Sequence, residues 1–176
     1  MNLTKKIVSL AAAAALVAGA GAVAATPATA KPKTKGITVI SFDKKLAPVV
    51  AGIVAVAPAK KSGTQLSFPV SKVQGNGVEH KGAIKVGATE VSNPIIIINT
   101  ETGGAVVNVT SAAGSIELFT IKNFKIRSDD KKKQVWQGFL HLTTNQLVVD
   151  ILNQSAGATV FSPGMGLGQI RTTINK

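Results

Sequence analysis

From Gly77 to Asn99 apolar and polar positions first alternate and then merge into an apolar run. Val78, His80, Ile84 and Val86 share one parity, while Glu79, Lys81 and Lys85 share the other. A period of two predicts a strand with one face on a core and the other in water. Gly87-Ala88 predicts a turn, because glycine reaches positive φ without a Cβ penalty. Four isoleucines follow Pro94. Such a run is too short to span a bilayer and too β-branched for a comfortable helix. It predicts a central strand over Pro94–Asn99, covered on both faces.

The same period recurs along the chain. Ile37–Phe42 predicts a first strand and Ile53–Ala57 a second. Between them, Asp43 is placed to cap a short helix through about Ala51, with Gly52 as its stop and Pro48 limiting its length. Ala59–Gly63 reads as a loop. Gln65–Val73 puts Leu66, Phe68 and Val70 on one face, and Pro69 on the other points to an edge or a bulge. Ala105–Ser111 and Ser115–Phe124 predict further strands, followed by a charged hairpin tip, Lys125–Lys133, and a strand over Gln134–Leu142. A helix is predicted to start at Thr143 or Thr144. Gln146, Leu147, Val148, Ile151 and Leu152 recur at helical spacing through about Gln154, and Gly157 ends it. Thr159–Ser162 and Gly168–Ile174 read as extended segments around a glycine-rich corner, Pro163–Gly168. About nine short strands and two short helices, without βαβ alternation, predict a mainly β protein. The expected architecture is an antiparallel β-sandwich or flattened barrel.

The N-terminus changes the setting of that domain. Lys5 and Lys6 precede an alanine-rich apolar stretch, Ile7–Ala25, and Ala28-Thr29-Ala30 fits a small-x-small cleavage pattern. Residues 1–30 therefore read as a signal peptide with Ala28 and Ala30 at the cleavage site. Residues 31–35 read as a basic linker and 36–176 as one β-rich domain. Removing 30 residues from 176 leaves 146, enough for one core. The chain has no cysteine, so neither a lipid-anchored cysteine nor a disulfide framework is expected. The expected location is outside the cell, secreted or held at the surface of a bacterium.

Charge narrows the partners. Without Lys5 and Lys6, 18 of the 20 basic residues remain against 8 acidic ones, a net charge of +10. Export argues against nucleic acid, and so does an aromatic set with no tyrosine and one tryptophan for base stacking. Outside the cell the matching anions belong to cell-wall polymers, acidic polysaccharide and the membrane surface.

Candidate chemistry is sparse. The chain has two histidines, no thiol and no serine in a Gly-x-Ser-x-Gly turn, so it reads as a non-enzyme, with a hydrolase as a remote alternative. Gly164-Met-Gly166-Leu-Gly168 does not open a helix and reads as a corner rather than a phosphate loop. Asp129-Asp130 beside Lys131–Lys133 reads as a solvated turn, since calcium needs further oxygen ligands. Trp136 reads as core. His80 shares the parity of an inward face, and with His141 it is the candidate for a metal or haem ligand. The competing reading of His80 is a histidine bonded to a nearby backbone group.

The order of segments carries a resemblance. Leu66-Ser-Phe-Pro-Val70, Gly77-Val-Glu-His-Lys-Gly82, Val91-Ser-Asn-Pro-Ile95, Ile116-Glu-Leu-Phe119, Trp136-Gln-Gly138, the Leu142–Asn153 helix and Phe161-Ser-Pro-Gly164 follow one another. This chain resembles the Htaa-type domain of actinobacterial secreted and cell-surface proteins, especially its small single-domain secreted relatives, over about Gly36–Ile174. The resemblance implies two antiparallel sheets with two short helices, and haem capture at the cell surface. It also implies an axial tyrosine in a Ser-Phe-x-x-Tyr context. Here Ser41-Phe42 is followed by Asp43, Lys44 and Lys45, so Lys45 occupies the ligand position. The supporting histidine of the family follows a glycine, whereas Gly82 is followed by Ala83 and His80 comes earlier. The expected function is therefore binding or structural, at the cell envelope and through the basic surface, with no cofactor. Haem or metal binding through His80 is the alternative.

Overall fold

The computed structural model describes residues 35–99 and 102–176. The predicted signal peptide, with Ala28 and Ala30, lies outside the described residues, as does the predicted linker up to residue 34. Eleven strands form one antiparallel sheet. They are β1 (Gly36–Phe42), β2 (Ile53–Val56), β3 (Lys60–Ser62), β4 (Gln65–Gln74), β5 (Gly77–His80), β6 (Ala83–Val86), β7 (Thr89–Asn99), β8 (Gly104–Ser111), β9 (Gly114–Asp129), β10 (Lys133–Leu142) and β11 (Gly166–Asn175). The pairing order β7-β5-β4-β1-β11-β10-β9-β8 closes through β7 and β8 into an eight-stranded barrel. β6 and β2 extend the sheet from the first half of β7, and β3 pairs with β4. Closure removes the sheet edges that a sandwich of this length would expose.

Barrel geometry explains the alternation. Ile40, Leu66, Phe68, Val70, Val78, Ile96, Val107, Leu140 and Ile170 fill the interior, while the polar residues between them face out. Trp136 is buried with its ring edge-to-face against Phe124, the centroids 5.6 Å apart. The isoleucine run lies in a central strand, but only Ile96 is fully buried. Ile95, Ile97 and Ile98 are half-buried, because a barrel covers one face of each strand.

Several elements depart from the sequence pattern. The alternation from Val78 to Val86 is two strands, broken at Gly82. This residue has φ +109°, and a Cβ there would stand 2.6 Å from the Ala59 nitrogen. β5 stays in the barrel and β6 leaves it. The segment after β1 is a tight 3₁₀ turn, Lys44–Leu46, followed by a single-turn helix α1 (Ala47–Ala51), and Asp43 makes no side-chain cap. Pro48 sits in the first turn of α1, where its missing N–H costs nothing. Residues 60–62, expected as loop, pair with β4. β9 runs on through Lys125–Asp129, so the charged hairpin tip is shorter than expected. Helix α2 (Gln146–Ala156) starts at Asn145, whose side chain accepts from the Leu147 N–H, and ends at left-handed Gly157. Of the two extended C-terminal segments only the second is a strand, β11; Thr159–Ser162 is irregular chain.

Candidate functional site

α1 with Gly52, the β6–β7 turn and the end of α2 with the chain after it meet outside the barrel. They enclose an open groove of about 440 Å³ walled by Pro48, Val49 and Gly52 on one side, Val86 and Gly87 below, and Ser155, Ala156, Ala158 and Val160 opposite. Small-molecule sites commonly have volumes of about 300–1,000 Å³. Each wall is fixed by side-chain bonds. Lys61 Nζ donates to the carbonyls of Ala51 and Ile53, both at 2.8 Å, and so ties β3 to the end of α1. Thr89 Oγ1 and Ser155 Oγ are 2.6 Å apart and bind the base of β7 to α2. Asn153 Oδ1 accepts from the N–H groups of Val160 and Phe161 at 2.9 and 2.8 Å, and its Nδ2 donates to the Phe161 carbonyl at 3.0 Å. One asparagine thereby holds the segment that carries Ala158 and Val160. Gly87 is needed at the floor, since its φ is +55° and a Cβ would lie 2.2 Å from the Ser155 carbonyl oxygen.

Beneath the groove, sharing Val49 and Val86 with it, is a void of about 40 Å³ lined by Phe42, Leu46, Leu118, Phe119, Leu152 and other apolar side chains, with Thr89. A second void of about 20 Å³ shares Phe42, Ile84 and Val91 with the first and reaches toward Leu66 and Phe68. The floor of the groove therefore lies over core that is not completely filled.

The residues singled out from sequence are not brought together. Lys45 is exposed in the turn before α1. His141 is half-buried on β10, where its Nδ1 donates to the Gly164 carbonyl at 3.1 Å. His80 is inside the barrel, 3% exposed. Its Nδ1 lies 2.8 Å from the Pro94 carbonyl, which can only accept, so Nδ1 carries the proton. Its Nε2 then accepts from Thr38 Oγ1 at 2.7 Å, and Thr38 accepts from Thr172 Oγ1 at 2.8 Å. This one-directional chain joins β11, β1, β5 and β7 across the interior. Burial pushes the His80 pKa below its ordinary value, although the bond to Pro94 opposes the shift.

Iron coordination does not fit these residues. The chain has no tyrosine, both His80 nitrogens are engaged, and no groove wall residue is a histidine, carboxylate or sulfur ligand. Among the described residues no three histidines or carboxylates gather at metal-binding distance. Asp130 Oδ1 instead accepts from the N–H groups of Lys132 and Lys133, both at 2.8 Å, which holds its carboxyl below the usual range and makes the turn self-contained. The groove itself was not legible in the sequence, because its walls are small residues from three separate segments. Asn153, between an apolar helix face and Gly157, was the available signal.

The barrel with its two short helices places the chain in a known fold class: it has the fold of an Hta-type domain. It is similar to the C-terminal domain of HtaA from Corynebacterium glutamicum, at a TM-score of 0.55 and 14% identity, covering 81% of this chain and 97% of that one. It is also similar to the haem-binding protein HtaB from the same organism, at a TM-score of 0.53 and 15% identity, covering 81% and 94%. No family model matches the sequence, and no curated protein does either.

Proposed function

We propose that this protein is an exported, non-enzymatic binding domain that holds a flat, largely apolar ligand of the haem class in the groove between α1 and the end of α2. The observation that carries the reading is the groove itself, with apolar walls fixed by Lys61, Thr89 and Asn153 above a softly packed floor. The haem-binding protein HtaB, which shares the fold, supports the ligand class. The signal-peptide pattern of residues 1–30 supports export. Binding rests on burial of the ligand faces against Val49, Val86 and Val160 rather than on an axial bond. Lys45, at the place where haem-binding members of the resembling family carry their tyrosine, is exposed in the turn before α1 and offers no phenolate for iron.

Parallel titrations with haemin and iron-free protoporphyrin test this. The expected affinities agree within about threefold, a difference of under 1 kcal/mol. Val160→Asp and Val49→Asp each weaken both ligands by about tenfold or more, since a charge is forced against an apolar face. Haemin binding far tighter than protoporphyrin, lost in His80→Ala, overturns the reading in favour of iron coordination. Absence of binding by either compound overturns it outright.

A further inference from the structure

The outer wall formed by β9, β10 and β11 is a second surface, on strands that do not line the groove. Residues 114–133 and 166–176 carry eight cations, Lys122, Lys125, Arg127, Lys131, Lys132, Lys133, Arg171 and Lys176, against three acids, Glu117, Asp129 and Asp130. The acids lie toward the ends of β9, and Asp129 is paired with Lys176. A local irregularity concentrates the remaining charge. Gln137 pairs with Lys125 and Phe139 pairs with Lys122, so Asn123 and Phe124 together oppose Gly138. This is a β-bulge, with Asn123 at φ +52°. Lys122 and Lys125 are three residues apart and would face opposite sides of a regular strand. The bulge turns both outward.

From the other side, Arg171 of β11 pairs with Gln137 and Gln169 pairs with Phe139. Strands about 4.8 Å apart put the Lys125 and Arg171 backbones about 10 Å apart, with Gln137 between them. The centre of the wall holds Phe139, 48% exposed, and Gln137 Nε2 donates to Gln169 Oε1 at 3.4 Å. Lys122, Lys125 and Arg171 are exposed, and no ion pair among the described residues neutralises them.

We infer that this wall binds an acidic polysaccharide, a glycan bearing carboxylate or phosphodiester groups along its length. Lys122 and Lys125 on β9, with Arg171 across Gln137 on β11, match the repeated charge, Phe139 offers a flat apolar face to a sugar ring, and the paired glutamine amides suit hydroxyl groups. The hairpin tip, Ser128–Lys133, has no apolar side chain to enter a bilayer, which favours a soluble polymer over a lipid surface.

The test measures binding of the full exported chain to polygalacturonate, to its fully methyl-esterified form, to polyphosphate, and to phosphatidylglycerol vesicles. Polygalacturonate binds and the neutral ester does not. The triple variant Lys122→Gln, Lys125→Gln, Arg171→Gln lowers affinity about tenfold or more and flattens the salt dependence by about two units, as loss of three ionic contacts requires. Phe139→Ser weakens polygalacturonate severalfold but leaves polyphosphate unchanged. A charge-matched control, Lys60→Gln, Lys72→Gln, Lys81→Gln, has less than a third of that effect. Equal losses in the two triple variants overturn the site in favour of net charge alone. Stronger retention on vesicles, or sensitivity of polyphosphate to Phe139→Ser, overturns the assignment to a glycan. Failure of protoporphyrin to bind leaves these outcomes unaffected.

Discussion

Thr38, His80 and Thr172 take interior positions that an aliphatic side chain would fill in most small barrels. They are stable there because every bond is made in one tautomer. Removing Thr38 Oγ1 strands both the His80 Nε2 and the Thr172 hydroxyl. Thr38→Val is therefore expected to cost about 1–3 kcal/mol, and Thr38→Ser much less, in urea unfolding at pH 7.5. Protonation of His80 would place two donors where Thr38 must accept and Pro94 already does. Because its folded pKa lies below its unfolded value near 6.5, the unfolded chain binds more protons in acid. Stability contributed by neutral His80 is fully present above about pH 6.5 and is lost as pH falls toward the folded pKa. The urea midpoint should drop between pH 7 and pH 5 in the native protein and drop less in His80→Gln. Equal slopes would show that His80 is not the titrating group. At this scale the inward parity of His80 was legible. Its partners were not, because Thr38 and Thr172 lie 42 and 134 residues from the groups they join.

Strand irregularities decide where side chains point. β9 has a register shift opposite Val107/Asn108 as well as the bulge opposite Gly138, so Leu118, Phe119 and Ile121 are all buried, whereas strict alternation puts Leu118 opposite the other two. Each bulge resets the parity, and one sequence without a partner strand carries no mark of where it falls. Gly138 is the exception. A Cβ there would lie 2.4 Å from Ile121 Cγ2 and 3.1 Å from the Lys122 carbonyl oxygen. Gly138→Ala is expected to destabilise by about 1–3 kcal/mol. It should also shift the amide resonances of Lys122–Lys125, which a cost confined to side-chain crowding would leave in place. The isoleucine run shows the same limit. Its central position was legible from composition, but which face is covered depends on barrel closure. Ile96→Lys places an unpaired charge in the interior at a cost of several kcal/mol, comparable with the whole stability of a small domain. Ile97→Lys, half-exposed, should still give a cooperative thermal transition. A folded Ile96→Lys protein would contradict the assigned register.

At the scale of the molecule, the mainly β class and a C-terminal helix ending at Gly157 followed from alternation and turn residues, but eleven strands form where about nine were expected, and the helix is capped by Asn145 rather than Thr143 or Thr144. Closure of β7 on β8 did not follow, since it depends on pairings between distant strands that periodicity leaves unspecified. Closure has functional consequences. It seals the barrel interior with side chains, buries His80 within it, and leaves the proposed binding groove outside the barrel. Two faces with different chemistry result, an apolar groove against α1 and α2 and a basic wall on β9–β11. The groove assignment is tested most directly by mapping amide chemical shifts during titration with protoporphyrin. The expected result is perturbation of Val49–Gly52, Val86–Gly87 and Ser155–Val160, with His80 and Thr172 unmoved. Perturbation centred on His80 or His141, with the groove amides silent, would contradict it.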